Sequence, residues 1–450
     1  MTDLLVYNIG KLVVGPASGS DNAADPTDGD TPLLDIREDA AVAIEDGAVV
    51  AVGDSTAVCR QRPPEAAARA LDASGKLVTP GLVDAHTHAL FAGDRSGEFV
   101  ARIEGRSYTE IMDAGGGIPV TVGAVREASD EQLLANIHEQ LDVMLAHGTT
   151  TAEVKSGYGL DTETELRMLE IIERADETHP VDLVPTFMGA HAVPEGVETD
   201  TYVDRVVDEQ LPAVAEQGIA RFCDVFCEEG VFDVEQSRRI LQAGREYGLD
   251  PKLHAEEFTR IGGAQLAAEL GATSADHLLH AAGEDAAALV EADVTPVLLP
   301  ATAFSLSEPY ADAEVFLDAG APVALGTDLN PSCFVHSMGF VISLACLRMG
   351  MTPEEALLGA TTGAARAIGR AGEQPERAIG RAGDSTVQAA GADSDGAGRL
   401  HEGTAADLVV FDLPDHVHLP YNGGTNRVET VVTGGRAVHR NTTGDGGEPR

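Results

Sequence analysis

The sequence predicts an α/β protein built on a (β/α)8 barrel, with a small β domain assembled from both ends of the chain. Three observations carry this expectation. Between about residues 76 and 367, strand-like apolar runs alternate with helical patterns, and eight candidate strands fall at 82–86, 149–154, 182–188, 222–226, 250–254, 273–277, 294–299 and 322–327. The terminal segments 4–14, 41–52, 407–413 and 428–439 are β-rich and carry Gly or Asp at their turns, as in Ile44-Glu45-Asp46-Gly47. The third observation is chemical. The ends of the central strands carry His86, His88, Lys155, His191, Glu228, His254, His277 and Asp328, and the C-terminal strand ends are where such barrels place their chemistry.

Taken in chain order, residues 1–75 pair with 400–450 as a composite small β-sandwich domain, and 76–369 form the barrel. The stretch 17–32 is rich in Gly, Ala, Ser and Asp, as expected of a loop. The first barrel strand is the apolar run after Pro80. Ser129-x-x-Gln132 and Thr162-x-x-Glu165 read as capping boxes that open two of the intervening helices. Residues 370–399 have the composition of a flexible insertion. There Arg377–Gly383 repeats Arg366–Gly372, a local duplication. A doubly wound open sheet is the competing architecture, but no Gly-rich phosphate fingerprint follows the first strand.

Asp and Glu number 74 against 30 Lys and Arg, for a net charge of −44, and only four of the cations are lysines, at 11, 76, 155 and 252. The carboxylates are spread along the chain, so an acidic tail does not explain them. They suit a protein adapted to multimolar salt, where the Debye length falls to about 3 Å at about 1 M and self-repulsion is screened. Such a surface excludes nucleic acid and anionic membrane as natural partners. No apolar run reaches the ~18–20 residues of a membrane span and the N-terminus has no secretory pattern, so a cytoplasmic location is expected. Cys59, Cys223, Cys227, Cys333 and Cys346 are few and odd in number; Cys223 and Cys227 read as buried strand residues rather than a metal knuckle.

The most informative segment is Gly81-Leu82-Val83-Asp84-Ala85-His86-Thr87-His88. Histidines at i and i+2 on a strand share a face and can share a metal. With His254 and Asp328 they make a mononuclear site of three imidazoles and one carboxylate, suited to Zn2+ or Fe2+/Fe3+ and leaving a position for water. His277 is placed to orient or deprotonate that water. Glu257 is placed to shuttle a proton, with Glu256 as its rival because strand alternation does not decide between them. Lys155 is expected to make an ion pair at an acidic mouth, with a carbamylated lysine bridging two metals as the second possibility.

Longer strings add a resemblance. Pro80–His88, Gly115-Gly116-Gly117-Ile118, Gly148–Leu160 and Thr186–Ala192 closely resemble the imidazolonepropionase family of the amidohydrolase superfamily, as does the tail at Ala406-Asp407-Leu408-Val409. The resemblance implies a metal-dependent barrel with a small β domain from both termini and the metal ligands His86, His88, His254 and Asp328. The implied reaction is metal-dependent hydrolysis of the cyclic amide bond of 4-imidazolone-5-propanoate to N-formimidoyl-L-glutamate, in histidine degradation. It also implies substrate contacts from Arg95, Tyr158, His191, Glu257, Asn330, Ser332 and Cys333, and a homodimer. A planar guanidinium at Arg95 fits the propanoate; the competing reading is a surface residue paired with Asp94 or Glu98. Ser332 and Cys333 depart from the family's usual glycine and serine, so a serine hydroxyl contact at 333 is lost.

The charge alone predicts salt dependence. On dialysis from multimolar KCl into dilute buffer, the far-UV circular dichroism of the fold should collapse; retention of fold and activity would refute the halophilic reading.

Overall fold

The first strand of the chain sets the architecture, because it is long enough to serve two partners at once. The structure, a computed structural model, describes residues 2–17, 32–106, 110–111, 114–372 and 396–441. Nearly all of the expected loop 17–32 and of the insertion 370–399, with the second copy of the repeat, lies outside these residues.

β1 (Leu4–Pro16) pairs antiparallel with β2 (Leu34–Glu45), which turns at Asp46-Gly47 into β3 (Ala48–Asp54). The β-rich segment 41–52, with its turn expected at Asp46-Gly47, spans parts of the two arms of this hairpin, and Asp46 and Gly47 are both at positive φ. The other edge of β1 pairs in parallel with β4 (Arg69–Asp72) through Leu4–Tyr7, then with β5 (Leu77–Pro80) at Lys11 and Leu12. β14 (Leu408–Phe411) joins β5, and β15 (Val428–Thr433) and β16 (Arg436–Arg440) complete an eight-stranded sheet from both termini. Alternate residues Leu4, Val6, Val42, Ile44, Leu408, Val410 and Val432 meet in one apolar cluster, so the sheet curls over its own core. Its membership reaches Pro80, beyond the division expected at 75.

The second sheet is parallel and eight-stranded: β6 (Leu82–Asp84), β7 (Thr149–Lys155), β8 (Asp182–Ala190), β9 (Phe222–Cys227), β10 (Asp250–Ala255), β11 (Ser274–His277), β12 (Thr295–Leu298) and β13 (Ala324–Leu325), each paired with the next. Every expected barrel strand is present. All residues of β7 and β9 are buried, as in a sheet covered on both faces. Cys223 and Cys227 lie within β9, buried and unbridged. The barrel closes through irregular backbone bonds: Ala85 N–H donates to Leu325 O (3.4 Å), Asp328 to His86 O (3.0 Å) and His88 to Leu329 O (2.9 Å).

One helix start follows the expectation and one differs. Ser129 and Gln132 form a reciprocal capping box on the helix Asp130–Ala146. The helix Thr162–Thr178 is instead capped by Asp161, whose carboxylate accepts from Thr164 N–H. Glu165 is drawn away from the helix end because three backbone N–H groups of the preceding loop, at Gly157, Gly159 and Leu160, donate to its buried carboxylate.

Gly81 is the only residue between β5 of the terminal sheet and β6 of the barrel. A Cβ there would lie 2.0 Å from Thr150 Oγ1 and 2.7 Å from its Cγ2. Gly81→Ala should therefore destabilise by about 1–3 kcal/mol, the usual cost of overpacking. Thermal melting should show the loss and a partial recovery when Thr150→Ala is added; an unchanged melting temperature in the single variant would contradict the tight junction.

Candidate metal centre and active site

Barrel closure brings the HxH segment of the first strand against the loop that follows the last. His86 Nε2 and His88 Nε2 lie 3.6 and 3.7 Å from Asp328 Oδ1. His254, at the end of β10, places its Nε2 3.3 Å from His88 Nε2. Ligand atoms of His86, His88 and Asp328 fall within 4.8 Å of one another, as do those of His86, His254 and His277. The structure thus brings the four expected ligands and His277 into one buried cluster.

The protonation pattern fits a cation. His86 Nδ1 lies 2.6 Å from Asp276 Oδ2 and His254 Nδ1 lies 3.2 Å from Asp224 Oδ1. A carboxylate only accepts, so these nitrogens carry the protons and each Nε2 turns a lone pair inward. His86 Nε2 is buried and has no hydrogen-bond partner among the described residues. The His254 and His88 Nε2 atoms face each other at 3.3 Å, the first with the Asp224 carboxylate behind its ring, and a metal ion between them would satisfy both. Burial first, then the charge of Lys155 and the neighbouring imidazoles, holds the His86 pKa well below its usual range. Burial and the adjacent histidines act likewise on His88. Neutral imidazoles are the ligating form.

The backbone is strained at this site. His277 has φ 77°, Asp328 φ 51° and Glu256 φ 54°, all in the left-handed region. The Asp328 carboxylate is held by Thr302 Oγ1 at 2.6 Å and Asn330 Nδ2 at 3.1 Å. Neither ring nitrogen of His277 has a hydrogen-bond partner among the described residues. Its nearest carboxylate is Glu257, with Nε2 3.6 Å from Oε2. Burial, then His254, holds the His277 pKa well below its usual range.

The choice between the two adjacent glutamates is resolved by their partners. Glu256 accepts from the N–H groups of Ile261, Gly262 and Ala264, at the start of the helix Gly263–Leu270. Glu257 turns into the pocket, where burial and then the Asp328 and Glu228 charges raise its pKa well above the usual carboxylate range.

The same pocket is lined by Arg95, Tyr158, His191, Asn330, Ser332 and Cys333. Arg95 is buried and lines the pocket, so it is not a surface residue, although its Nε and Nη2 do pair with Glu98 at 2.9 and 2.8 Å. The His191 ring stacks on His88 at 4.8 Å between centroids, and its Nδ1 lies 3.1 Å from Gly157 O. Gly157, at φ 100°, has no room for a side chain, since a Cβ would lie 2.9 Å from that nitrogen. Asn330 is engaged locally: Nδ2 donates to Asp328, and Oδ1 accepts from the Ser332 and Cys333 N–H groups. The Cys333 thiol donates to Thr327 O, and burial pushes its pKa up to about 12.

Lys155 is not at a mouth. It is fully buried beneath the imidazoles, with Nζ 2.6 Å from Asp224, 2.8 Å from Glu153 and 3.5 Å from Asp276. Burial opposes its charge, but these three carboxylates outweigh it and raise its pKa. A carbamate would add a further negative charge among them, so the bridging-lysine alternative does not fit. Glu153, Asp224, Lys252, Asp276, Thr302 and Glu165 were not singled out from sequence. A signal existed for some of them: Glu153 and Lys252 are charged residues two positions before Lys155 and His254, on the same inward face.

Comparisons with known proteins agree with this geometry. The pattern of the Amidohydrolase family matches residues 77–374. The chain is 60% identical over 438 residues to the imidazolonepropionase of Halobacterium salinarum, covering 96% of this chain and 97% of that one. Identity to the imidazolonepropionase of Haloarcula marismortui is 58% over 436 residues, covering 97% and 96%. For that of Geobacillus kaustophilus it is 49% over 409 residues, covering 90% and 91%. Among solved structures, an adenosine deaminase from Xanthomonas campestris with bound zinc superposes with a TM-score of 0.69 at 19% identity, covering 97% and 92%. Escherichia coli guanine deaminase gives 0.68 at 16% identity, covering 97% and 99%. At these identities the two deaminases speak for the fold alone.

Metal removal should be visible in stability. Zn2+ at a hundredfold its dissociation constant should stabilise the chelator-treated protein by about 2.7 kcal/mol. Differential scanning fluorimetry should show the rise in melting temperature for the wild type and none for His86→Ala or Asp328→Ala. An equal rise in those variants would place the binding elsewhere.

Proposed function

The chain belongs to the amidohydrolase family and, within it, to the imidazolonepropionases; from that premise we propose that its pocket opens the ring of 4-imidazolone-5-propanoate to give N-formimidoyl-L-glutamate. It is a hydrolase acting on C–N bonds. The observation that carries the substrate reading is the meeting, in one pocket, of the Arg95 guanidinium, the Glu257 carboxyl and a buried His/Asp cluster.

In this reading His86, His88, His254 and Asp328 hold Zn2+ or Fe2+/Fe3+. When bound, the metal activates water and polarises the ring carbonyl. Arg95 receives the propanoate, with Glu98 fixing the fork of its guanidinium. Tyr158 and His191 flank the ring. Glu257 donates to a ring nitrogen, and the strained backbone at His277 turns its imidazole toward the nucleophile. His277, with Asp328 beside it, takes the proton that water loses as its oxygen adds to the ring carbonyl carbon. The tetrahedral carbon then expels the adjacent ring nitrogen, His277 returns the proton to it, and the carbonyl becomes the α-carboxylate of the product. Asn330 serves through Asp328 and the 332–333 turn, and Ser332 and Cys333 form the pocket wall.

The barrel that begins at β6 carries this chemistry, and the terminal sheet, whose β5 runs through Gly81 into β6, buttresses its first strand. No helix among the described residues is long and apolar enough to cross a membrane. We place the enzyme in the cytoplasm as a homodimer; exposed Leu347 and Tyr421, at 77% and 84%, are apolar surface that an acidic chain gains by covering.

The test is incubation of metal-loaded protein in multimolar KCl with freshly generated 4-imidazolone-5-propanoate, following ring absorbance and product. Ring loss with formimidoyl-glutamate appearing is expected; ammonia release without ring opening would point to a deaminase. His277→Phe should keep its metal and lose about 10²–10⁴-fold in turnover. Near-normal activity would remove that role.

A further inference from the structure

Beneath the imidazoles, where such barrels usually pack branched apolar residues, lie five charged side chains with no exposed area: Glu153, Lys155, Asp224, Lys252 and Asp276. They form one network. Lys155 reaches Asp224, Glu153 and Asp276; Lys252 Nζ lies 2.8 Å from Glu153 Oε1, 3.9 Å from Asp276 Oδ2 and 3.5 Å from Ala85 O. Thr186 Oγ1 donates to Glu153 at 2.5 Å. The network touches the cluster through Asp224 on His254 and Asp276 on His86, and a Glu153 oxygen lies within 4.8 Å of both a His86 nitrogen and an Asp276 oxygen.

The charges do not balance within the layer. Three carboxylates face two ammoniums, leaving one negative charge, and Asp328 above them makes two. Asp84 lies beside them, its oxygens held by Thr327 and the His86 N–H, and burial pushes its pKa up to about 7. A divalent cation among the imidazoles offsets the excess of carboxylate, and buried charges are screened less than exposed ones. This chain has four lysines in 450 residues, and two of them are spent here.

We propose that this layer is an electrostatic counterweight that fixes how tightly the site holds a divalent ion, with Glu153 and Lys252 as positioning residues that touch neither metal nor substrate. The inference rests on the reading of His86, His88, His254 and Asp328 as metal ligands. It separates charge from shape, because the two residues pull in opposite directions. Neutralising Glu153 weakens the hold on the ion. Neutralising Lys252 strengthens it, and neutralising both restores the count.

The experiment is Zn2+ affinity by chelator competition in multimolar KCl, on the full chain and on Glu153→Gln, Lys252→Met and the double variant. Glu153→Gln should bind about tenfold or more weakly, within the range that outer-layer changes produce. Lys252→Met should bind more tightly, and the double variant should return toward the wild type. Weaker binding in both single variants, or a double variant weaker than Glu153→Gln, would mean a packing role and overturn the proposal. Should Lys252→Met not fold, Glu153→Gln and the double variant decide alone. A wild type that binds no Zn2+ would sink the metal reading and this inference together; shifts in one direction around a wild type that does bind would sink only the inference.

Discussion

Where the first barrel strand meets the last, Asp328 donates its N–H to His86 O, and His88 donates its N–H to Leu329 O. These seam bonds replace the regular ladder that joins the other strands, and they run through the residues of the metal cluster. A parallel ladder at this point would hold the chain in extended conformation; instead Asp328 takes φ 51° and turns its carboxylate onto His86 and His88. Closure and ligand assembly are therefore one event. The terminal sheet contributes to it, since β5 runs through Gly81 into β6, with Gly81 N–H bonded to Asp407 O in the C-terminal part of the chain.

The pocket above the seam is assembled by carboxylates that never reach the substrate. Glu165 gathers the N–H groups of Gly157, Gly159 and Leu160, which fixes the loop presenting Tyr158. Glu228 accepts from Phe258 and Thr259, pinning the segment just after Glu257. Glu256 is consumed at a helix start. Buried carboxylates are tolerable in each case because backbone donors satisfy them. Glu257 meets no such backbone donor among the described residues, and burial raises its pKa well above the usual carboxylate range.

Much of this was legible in the sequence, and the limits have physical causes. Strand number and order followed from apolar runs, because a strand buried on both faces has few other ways to be written. The His/Asp cluster was legible because histidine recurs at the ends of separate barrel strands, which the fold brings together. Thr162-x-x-Glu165 misled because a capping box and a loop anchor use the same residue pair, and only the loop's unpaired N–H groups decide between them. Glu256 and Glu257 were undecidable by alternation, since the chain leaves the strand at φ 54° and parity ends there. The charged layer stayed hidden because pairing within a barrel interior joins residues far apart in the chain, as for Lys155 and Asp276, 121 positions apart.

Two electrostatic regimes coexist in this chain, and salt separates them. The half-buried lysines, Lys11 with Asp415 at 2.5 Å and Lys76 with Glu429 at 2.6 Å, tie N-terminal strands to the C-terminal segment. At the ionic strength that an excess of 44 negative charges calls for, the Debye length is about 3 Å and such partly exposed pairs are weakened. The Lys155 and Lys252 pairs have no exposed area, so mobile ions do not reach them. The same solvent that makes the acidic surface tolerable thus leaves the electrostatics of the site untouched. Selection on the surface can shed lysine freely, whereas loss of either interior lysine would leave three buried carboxylates facing a single ammonium.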